Sequence, residues 1–444
     1  MTGIWKSLHR NYGYFLFVIL IAVSFLFSGD PNKKNPYPLC DIHYFEITKS
    51  VGFPVNCDAF GFIGAAINPG YLLTENYNRQ SRPLYILSGT AAGYLVYGIS
   101  YPFHEKISSL AGNRFPVSAE QAGSNVAVLY FCFYIGFILI NFLVAFAIVI
   151  LFHKILELIT GEWKHLTLLK YALLLLLFSN QITQWFLWTA HTQMFTLLAP
   201  LLCLYISLLF SLKKLSPKQI VMCCILGGVL LLFYGNFLLL LPCLAFSSFY
   251  RKDGYSLGKK SFNAFVLFPV LFFLPLLLWN VILWMKGLTL FSDELQGYRQ
   301  FIWVLDAAEG GIKKLFSSIG KNISTFFKTT AGILFSLILL LAVLLKYNRN
   351  SIPANGANRV LLSTFNSHIL LLTVAGILFY TFLGYYADRL TAFFLPLITL
   401  VIAIRLNCVQ LPKKTQYILT LIIVLWHFYI IIFGVPYFYK TIYH

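Results

Sequence analysis

The chain has 444 residues, 59% of them hydrophobic and 11% charged, with a formal net charge of +18. Soluble domains carry roughly 25% charged residues, so this composition excludes an ordinary soluble protein, and apolar runs of the roughly 20 residues that cross a bilayer recur along the sequence. The excess base falls mainly in the links between those runs and contains no nucleic-acid-binding motif, which points to membrane orientation, acidic headgroups or phosphorylated lipids rather than nucleic acid.

The N-terminal stretch MTGIWKSLHRNYGYFLFVILIAVSFLFSGD has the basic start and apolar centre of a signal peptide. Its apolar part is long, however, and no small-x-small cleavage site precedes Asp30. It reads as an uncleaved first transmembrane helix, residues 1–28. The next stretch, YPLCDIHYFEITKSVG (37–52), sets Asp41, His43 and Glu46 beside Tyr44 and Phe45. If 41–50 is helical, Asp41, Tyr44 and Phe45 share a face. The aromatic pair then rests at the bilayer interface and holds Asp41 at a fixed depth, where a carboxylate can take a proton from a sugar hydroxyl. A solvated loop carboxylate or a helix N-cap is the plainer reading of Asp41. Asp41-x-His43 lacks a third ligand at convincing spacing, so a divalent metal is conceivable but unsupported. Cys40 and Cys57 face the same side, where an oxidising compartment would allow a disulfide that spacing alone does not establish.

In ENYNRQSRPLYILSG (75–89), Arg79 and Arg82 lie three apart, flanked by Tyr77 and Tyr85, and Pro83 opens a helical segment. Two guanidinium groups beside the free amides of a helix start suit a lipid phosphate or pyrophosphate. Ordinary snorkelling of both arginines to headgroups is the alternative. The segment LYILSGTAAGYLVYGISYPF (84–103) is weaker than the other apolar runs, and whether it spans decides the orientation of all that follows. If it lies along the surface or dips only partly in, the links holding Lys154 and Lys164, Lys213, Lys214 and Lys218, Arg251, Lys252, Lys259 and Lys260, and Lys413 and Lys414 all face the cytoplasm. The short opposite links SNQITQ, YGN and GYYAD carry no Lys or Arg, so this is the arrangement that charge bias favours.

The later runs, from 126–152 to 417–435, complete an all-α polytopic membrane protein of about eleven transmembrane helices in one domain, 1–444. A long first outward loop (29–125) carries surface-lying helices, spans fill 126–285, a second outward loop covers 287–330, and spans resume over 331–444. Twelve of the fifteen acidic residues then face outward, so carboxylate chemistry belongs on that side. QWFLWTAHTQMF (184–195) puts His191 and Gln193 near the outer end of a helix, either as packing residues or as part of a site. GYYADRLTAFFLPLITL (384–400) places Asp388 and Arg389 at the outer mouth of two helices, a position that is as often routine as functional. Asn322-Ile-Ser324 is a formal glycosylation sequon. No P-loop, dinucleotide fingerprint, HExxH or nucleophile elbow occurs, so no cofactor is expected and an activated donor must arrive with its energy stored.

Three stretches, CDIHYFEITKS, NRQSRPLYILSG and ADRLTAFFLPLI, resemble in order and sidedness the motifs of the GT-C superfamily of integral-membrane glycosyltransferases. They look like that superfamily's acidic start of the first outward loop, its R/P-x-L-Y opening of a surface helix, and its Arg-plus-Leu-Pro pattern near the last spans. Many members carry paired acids where this chain has Asp41 followed by Ile42, which leaves Asp41 as the sole base, aided by Glu46. The resemblance implies transfer of a sugar from a polyprenyl-phosphate carrier to a glycan, lipid or protein acceptor on the outer face. On that reading Asp41 deprotonates the acceptor and Arg79, Arg82 or Arg389 stabilises the departing phosphate. Tyr44, Tyr85, His191 and Asp388 line the substrate site. The short tails and loops lean toward a bacterial inner membrane with the site facing the periplasm. A transporter or flippase for a lipid-linked saccharide, and a surface-polysaccharide polymerase or ligase, are the competing expectations.

Overall fold

The computed structural model describes residues 2–28, 43–48, 51–55, 58–111, 124–161, 167–251, 254–255, 259–296, 299–347, 356–384, 388–409 and 411–433. Their elements, in order, are α1 (Thr2–Phe25), β1 (His43–Thr48), β2 (Val51–Val55), α2 (Asp58–Ile67), α3 (Pro83–Ser100), α4 (His104–Ala111), α5 (Ser124–Thr160), α6 (Thr167–Phe178), α7 (Gln181–Phe186), α8 (Phe195–Ser211), α9 (Pro217–Leu231) and α10 (Leu240–Phe249). The small pair β3 (Tyr250–Arg251) and β4 (Gly254–Tyr255) follows, then α11 (Lys259–Met285), α12 (Asp293–Gln296), α13 (Trp303–Glu309), α14 (Ile312–Tyr347), α15 (Gly356–Leu383), α16 (Asp388–Thr391), α17 (Phe394–Val409) and α18 (Lys413–Phe433). Among the described residues, six helical stretches are long and apolar enough to cross a membrane: 126–160, 192–211, 266–285, 360–383, 389–407 and 413–433. Apolar helices from 168–178, 217–231 and 235–249 are shorter. A helix rises 1.5 Å per residue, so none of these three reaches across a hydrocarbon core about 30 Å thick by itself. Eleven full-length spans are therefore more than the described helices supply.

α5 is the axis of the fold. It packs against α1, α2, α3, α4, α8, α15 and α17, and Phe133, Phe137, Ile148, Phe152 and Ile155 along it are wholly buried. Apolar helices in lipid gain little from burying apolar surface against each other, so close approach relies on small residues. Gly136 of α5 meets Gly93 of α3 so closely that a Cβ on Gly136 would stand 2.6 Å from the Gly93 nitrogen. On its other side α3 exposes Leu95 and Ile99.

Two expectations about helices give way. Residues 43–48 form a strand, not a helix, paired antiparallel with β2 so that Tyr44 faces Pro54 and Phe45 faces Phe53. Neighbouring strand residues point to opposite faces, which separates the two aromatics expected to share one. The Tyr44 hydroxyl donates to the Ser28 carbonyl at 2.6 Å, while Phe45 stacks on Phe53 at 5.1 Å. The hairpin thereby seats on the end of α1. The apolar run 185–211 is also interrupted: α7 ends at Phe186, and irregular backbone leads through His191 to a 3-10 turn, Thr192–Met194, before α8.

Irregular backbone buried in a bundle must find partners for its polar groups, and here side chains from other helices supply them. Asn141 of α5 places its amide nitrogen 3.0, 3.3 and 2.7 Å from the carbonyls of Phe186, Leu187 and Thr189. Tyr134 donates to the Trp188 carbonyl, Gln184 to Ser28 Oγ at 2.6 Å, and the Trp188 indole to the Ala22 carbonyl at 3.0 Å. Further along, α14 runs unbroken from 312 to 347, so the expected boundary at 330 between loop and span falls inside one helix. The sequon asparagine, Asn322, lies on this helix only 3% exposed and donates to the Thr381 carbonyl at 3.5 Å. It is a packing residue here.

Candidate functional site

Asp58 opens α2. Two consecutive turns, closed by Gln80 N–H to the Tyr77 carbonyl at 3.2 Å and Arg82 N–H to the Arg79 carbonyl at 3.0 Å, carry Arg79 and Arg82 past it. Gln80 between them is fully buried. Its amide donates to the carbonyls of Leu72 and Thr74 and accepts from the Phe291 N–H at 3.0 Å, while its carbonyl takes the Trp279 indole proton, also at 3.0 Å. The arginine pair is thus tied to α11 and to the segment after it. Arg79 donates to Asp58 Oδ1 at 2.9 Å, with its guanidinium 4.3 Å above the Phe62 ring, an arrangement that adds cation–π attraction to the ion pair.

His191 arrives from the irregular backbone between α7 and α8. Its ring packs between Phe62 and Phe186, and its Nδ1 accepts the Gln193 backbone N–H at 3.0 Å, capping the 3-10 turn. That bond commits Nδ1 as an acceptor, so the ring proton sits on Nε2. Nε2 is the nitrogen that faces Asp58 Oδ2, at 3.6 Å. Burial pushes the His191 pKa down to about 4 against the pull of Asp58, so the ring is neutral near pH 7. For Asp58, burial opposes the charge, but His191, Arg79 and Arg389 together outweigh it and hold the carboxyl well below the usual carboxylate range. The site therefore carries a fixed carboxylate, about a third exposed, beside a neutral imidazole donor.

Arg82 and Arg389 complete the cluster. Arg82 donates to Thr192 Oγ1 at 3.1 Å and lies 5.8 Å over the Tyr234 ring. Arg389, on α16, acts electrostatically on Asp58, His191 and Tyr234, and its carbonyl accepts the Gln193 side-chain amide at 2.9 Å. Tyr85 is wholly buried against Phe62, Phe137 and Phe195, with a hydroxyl that has no hydrogen-bond partner among the described residues and lies within electrostatic reach of Arg82 and Arg79. Among the described residues three guanidinium groups gather around one carboxylate and one neutral imidazole, an arrangement that favours an anionic ligand. Among the described residues no three His, Cys, Asp or Glu side chains stand together as metal ligands.

Of the residues singled out in the sequence, Arg79, Arg82, Tyr85, His191 and Arg389 thus converge. Tyr44 belongs to the β-hairpin, and Glu46 stands exposed on β1 opposite Gly52. Asp388 begins α16, with its side chain outside the described part, and Asp41, Cys40 and Cys57 lie outside the described residues. Asp58, the carboxylate at the centre, was not singled out. Its one sequence signal is an acid at the start of the apolar stretch DAFGFIGAAI. Comparisons with family models, with curated proteins and with solved structures find no match to this chain.

Proposed function

We propose that the chain is an integral-membrane glycosyltransferase of GT-C type, moving a sugar from a polyprenyl-phosphate carrier to an acceptor hydroxyl. The observation that carries this reading is the convergence of Asp58, Arg79, Arg82, His191 and Arg389, from four separate stretches of chain, into one partly open cluster in which, among the described residues, guanidinium groups outnumber carboxylates. Arg82 and Arg389 receive the carrier phosphate, whose negative charge grows as the bond from the anomeric carbon to the phosphate oxygen breaks. The acceptor oxygen forms the new bond to that carbon and gives its proton to Asp58. Arg79 keeps Asp58 ionised but makes it a weak base, which suits a proton surrendered late, once the attacking oxygen has become acidic by bonding to an oxocarbenium-like centre. His191 faces the carboxylate with its Nε2 at 3.6 Å and presents its ring proton to it. The charge bias of the links supports an outer-face position for this cluster, periplasmic in a bacterial inner membrane, in a chain of about eleven crossings.

Asp58 takes here the role that the first-loop motif suggested for Asp41. Sugar transfer by purified protein in lipid, over a panel of polyprenyl-phosphate sugars, tests both carboxylates. Asp58→Asn is expected to lower turnover at least about a hundredfold, on the scale of a lost general base, with donor binding retained, whereas Asp41→Asn stays within about threefold. The reverse pattern returns the base to Asp41. A second reading, a flippase for a lipid-linked saccharide, draws support from the two interrupted stretches at 187–194 and 232–239, since discontinuous helices line many transport sites. Translocation of labelled saccharide-lipid without transfer by that preparation would favour it.

A further inference from the structure

We propose that Gln193 is a positioning residue that holds Arg82 and Arg389, the two phosphate-facing arginines, in register with each other. The inference rests on the transferase reading for what the arginines do, but not for how they are held. Gln193 is 2% exposed, and its side-chain amide donates twice, to the Arg389 carbonyl at 2.9 Å and to Thr196 Oγ1 at 2.8 Å. Thr196 passes its own proton to the Tyr234 hydroxyl at 2.8 Å, and the Tyr234 ring lies beneath the Arg82 guanidinium. One amide group thus joins α16, which carries Arg389, to the aromatic surface on which Arg82 rests. An amide nitrogen has two protons, and both are used, one toward each arginine. The backbone N–H of the same residue sets the His191 tautomer, a bond that a side-chain substitution leaves in place. Gln193→Met therefore removes the link between the arginines and spares the Asp58–His191 contact.

Two measurements test this on protein in lipid nanodiscs. The first needs no substrate: the rate of phenylglyoxal modification at Arg82 and Arg389, read by mass spectrometry. Gln193→Met is expected to raise the Arg389 rate about tenfold, the scale of one lost hydrogen bond, with Arg79 unchanged. Thr196→Val, which removes the Thr196 bridge to Tyr234 and leaves the Gln193 bond to the Arg389 carbonyl, is expected to raise Arg82 more than Arg389. Unchanged rates at both arginines, or equal rises at all three, overturn the proposal, the second because it marks general loosening. The second measurement is binding of farnesyl phosphate. Gln193→Met is expected to weaken it about tenfold in an otherwise native chain and clearly less in an Arg389→Ala background, where only the Arg82 branch remains to be lost, the non-additivity of residues acting as a unit. Full additivity overturns the positioning role. Absence of farnesyl phosphate binding by the native chain would instead count against the transferase reading, leaving the modification rates to judge Gln193.

Discussion

At the scale of single residues, the candidate site depends on opposite treatment of two titratable groups. Asp58 is held charged by guanidinium groups and His191 is held neutral by burial. The two leave different marks on stability. Between pH 6.5 and about 4 the unfolded chain protonates His191 while the folded chain does not, so the folded state loses ground as pH falls through that window. Asp58 works in the same direction but lower, because its unfolded carboxyl titrates near 3.9, and its contribution fades only below that pH. His191→Asn keeps a side-chain oxygen to cap the 3-10 turn and removes the titrating ring. The thermal midpoint of the native protein should therefore fall more steeply from pH 6.5 to 4 than that of His191→Asn. Parallel curves would show that His191 is not buried neutral. Arg79, Arg82 and Arg389 are legible in the sequence as candidate anion ligands because arginines near an apolar surface are conspicuous, and the fold brings the three together. Asp58 is not legible in this way, since one acid before an apolar stretch is equally a helix start, and only the fold reveals Arg79 and His191 beside it.

At the scale of elements, hydropathy located the long helices but not their interruptions. QWFLWTAHTQMF reads as continuous helix because no residue in it forbids one. The break is imposed from outside, by the Asn141 amide on α5 drawing the carbonyls of Phe186, Leu187 and Thr189. The strand at 43–48 had a local signal in its β-branched and aromatic residues and in Pro54 opposite Tyr44, which argues against a helix there. Helix contact was likewise hidden, because a glycine does not announce its neighbour. Gly136 touches backbone of α3, whereas a Cβ on Gly320 of α14 would meet nothing within 4 Å. Gly136→Ala should therefore push α3 away and lower the thermal midpoint. Gly320→Ala should leave it unchanged or raise stability by about 0.5–1 kcal/mol through lost backbone freedom in the unfolded chain. Equal effects from the two would contradict the close crossing of α3 and α5. Because α3 starts at Pro83, directly after Arg82, such a shift should reach the site as well.

At the scale of the whole molecule, the charge of the links predicts sidedness and the structure gives proximity. Lys213 follows α8 at a sharp turn, and Lys313 stands exposed on the first turn of α14. The charge bias puts them on opposite sides. With the natural cysteines replaced, a cysteine at 313 should react with a membrane-impermeant maleimide on intact cells, and one at 213 only after permeabilisation. The inverse labelling would turn the molecule over and put the Asp58 cluster on the cytoplasmic side, where a different donor pool would have to serve it.

The length of α14 has a geometric consequence. Its 36 residues measure about 54 Å at 1.5 Å per residue, against about 30 Å of hydrocarbon. Even at a tilt of about 40°, the upper end for membrane helices, only about 39 Å can lie within that layer. If α14 supplies the span that the sequence predicts at 331–346, roughly 15 Å must stand clear of that layer, and Lys313, Lys314 and Lys321, all exposed, mark the N-terminal end as the projecting part. Phe326 stacks on Tyr380, and the Tyr380 hydroxyl takes a proton from Asn236. On that topology α14 would stand as a stiff mast at the membrane, stepped against α15 where Phe326 meets Tyr380.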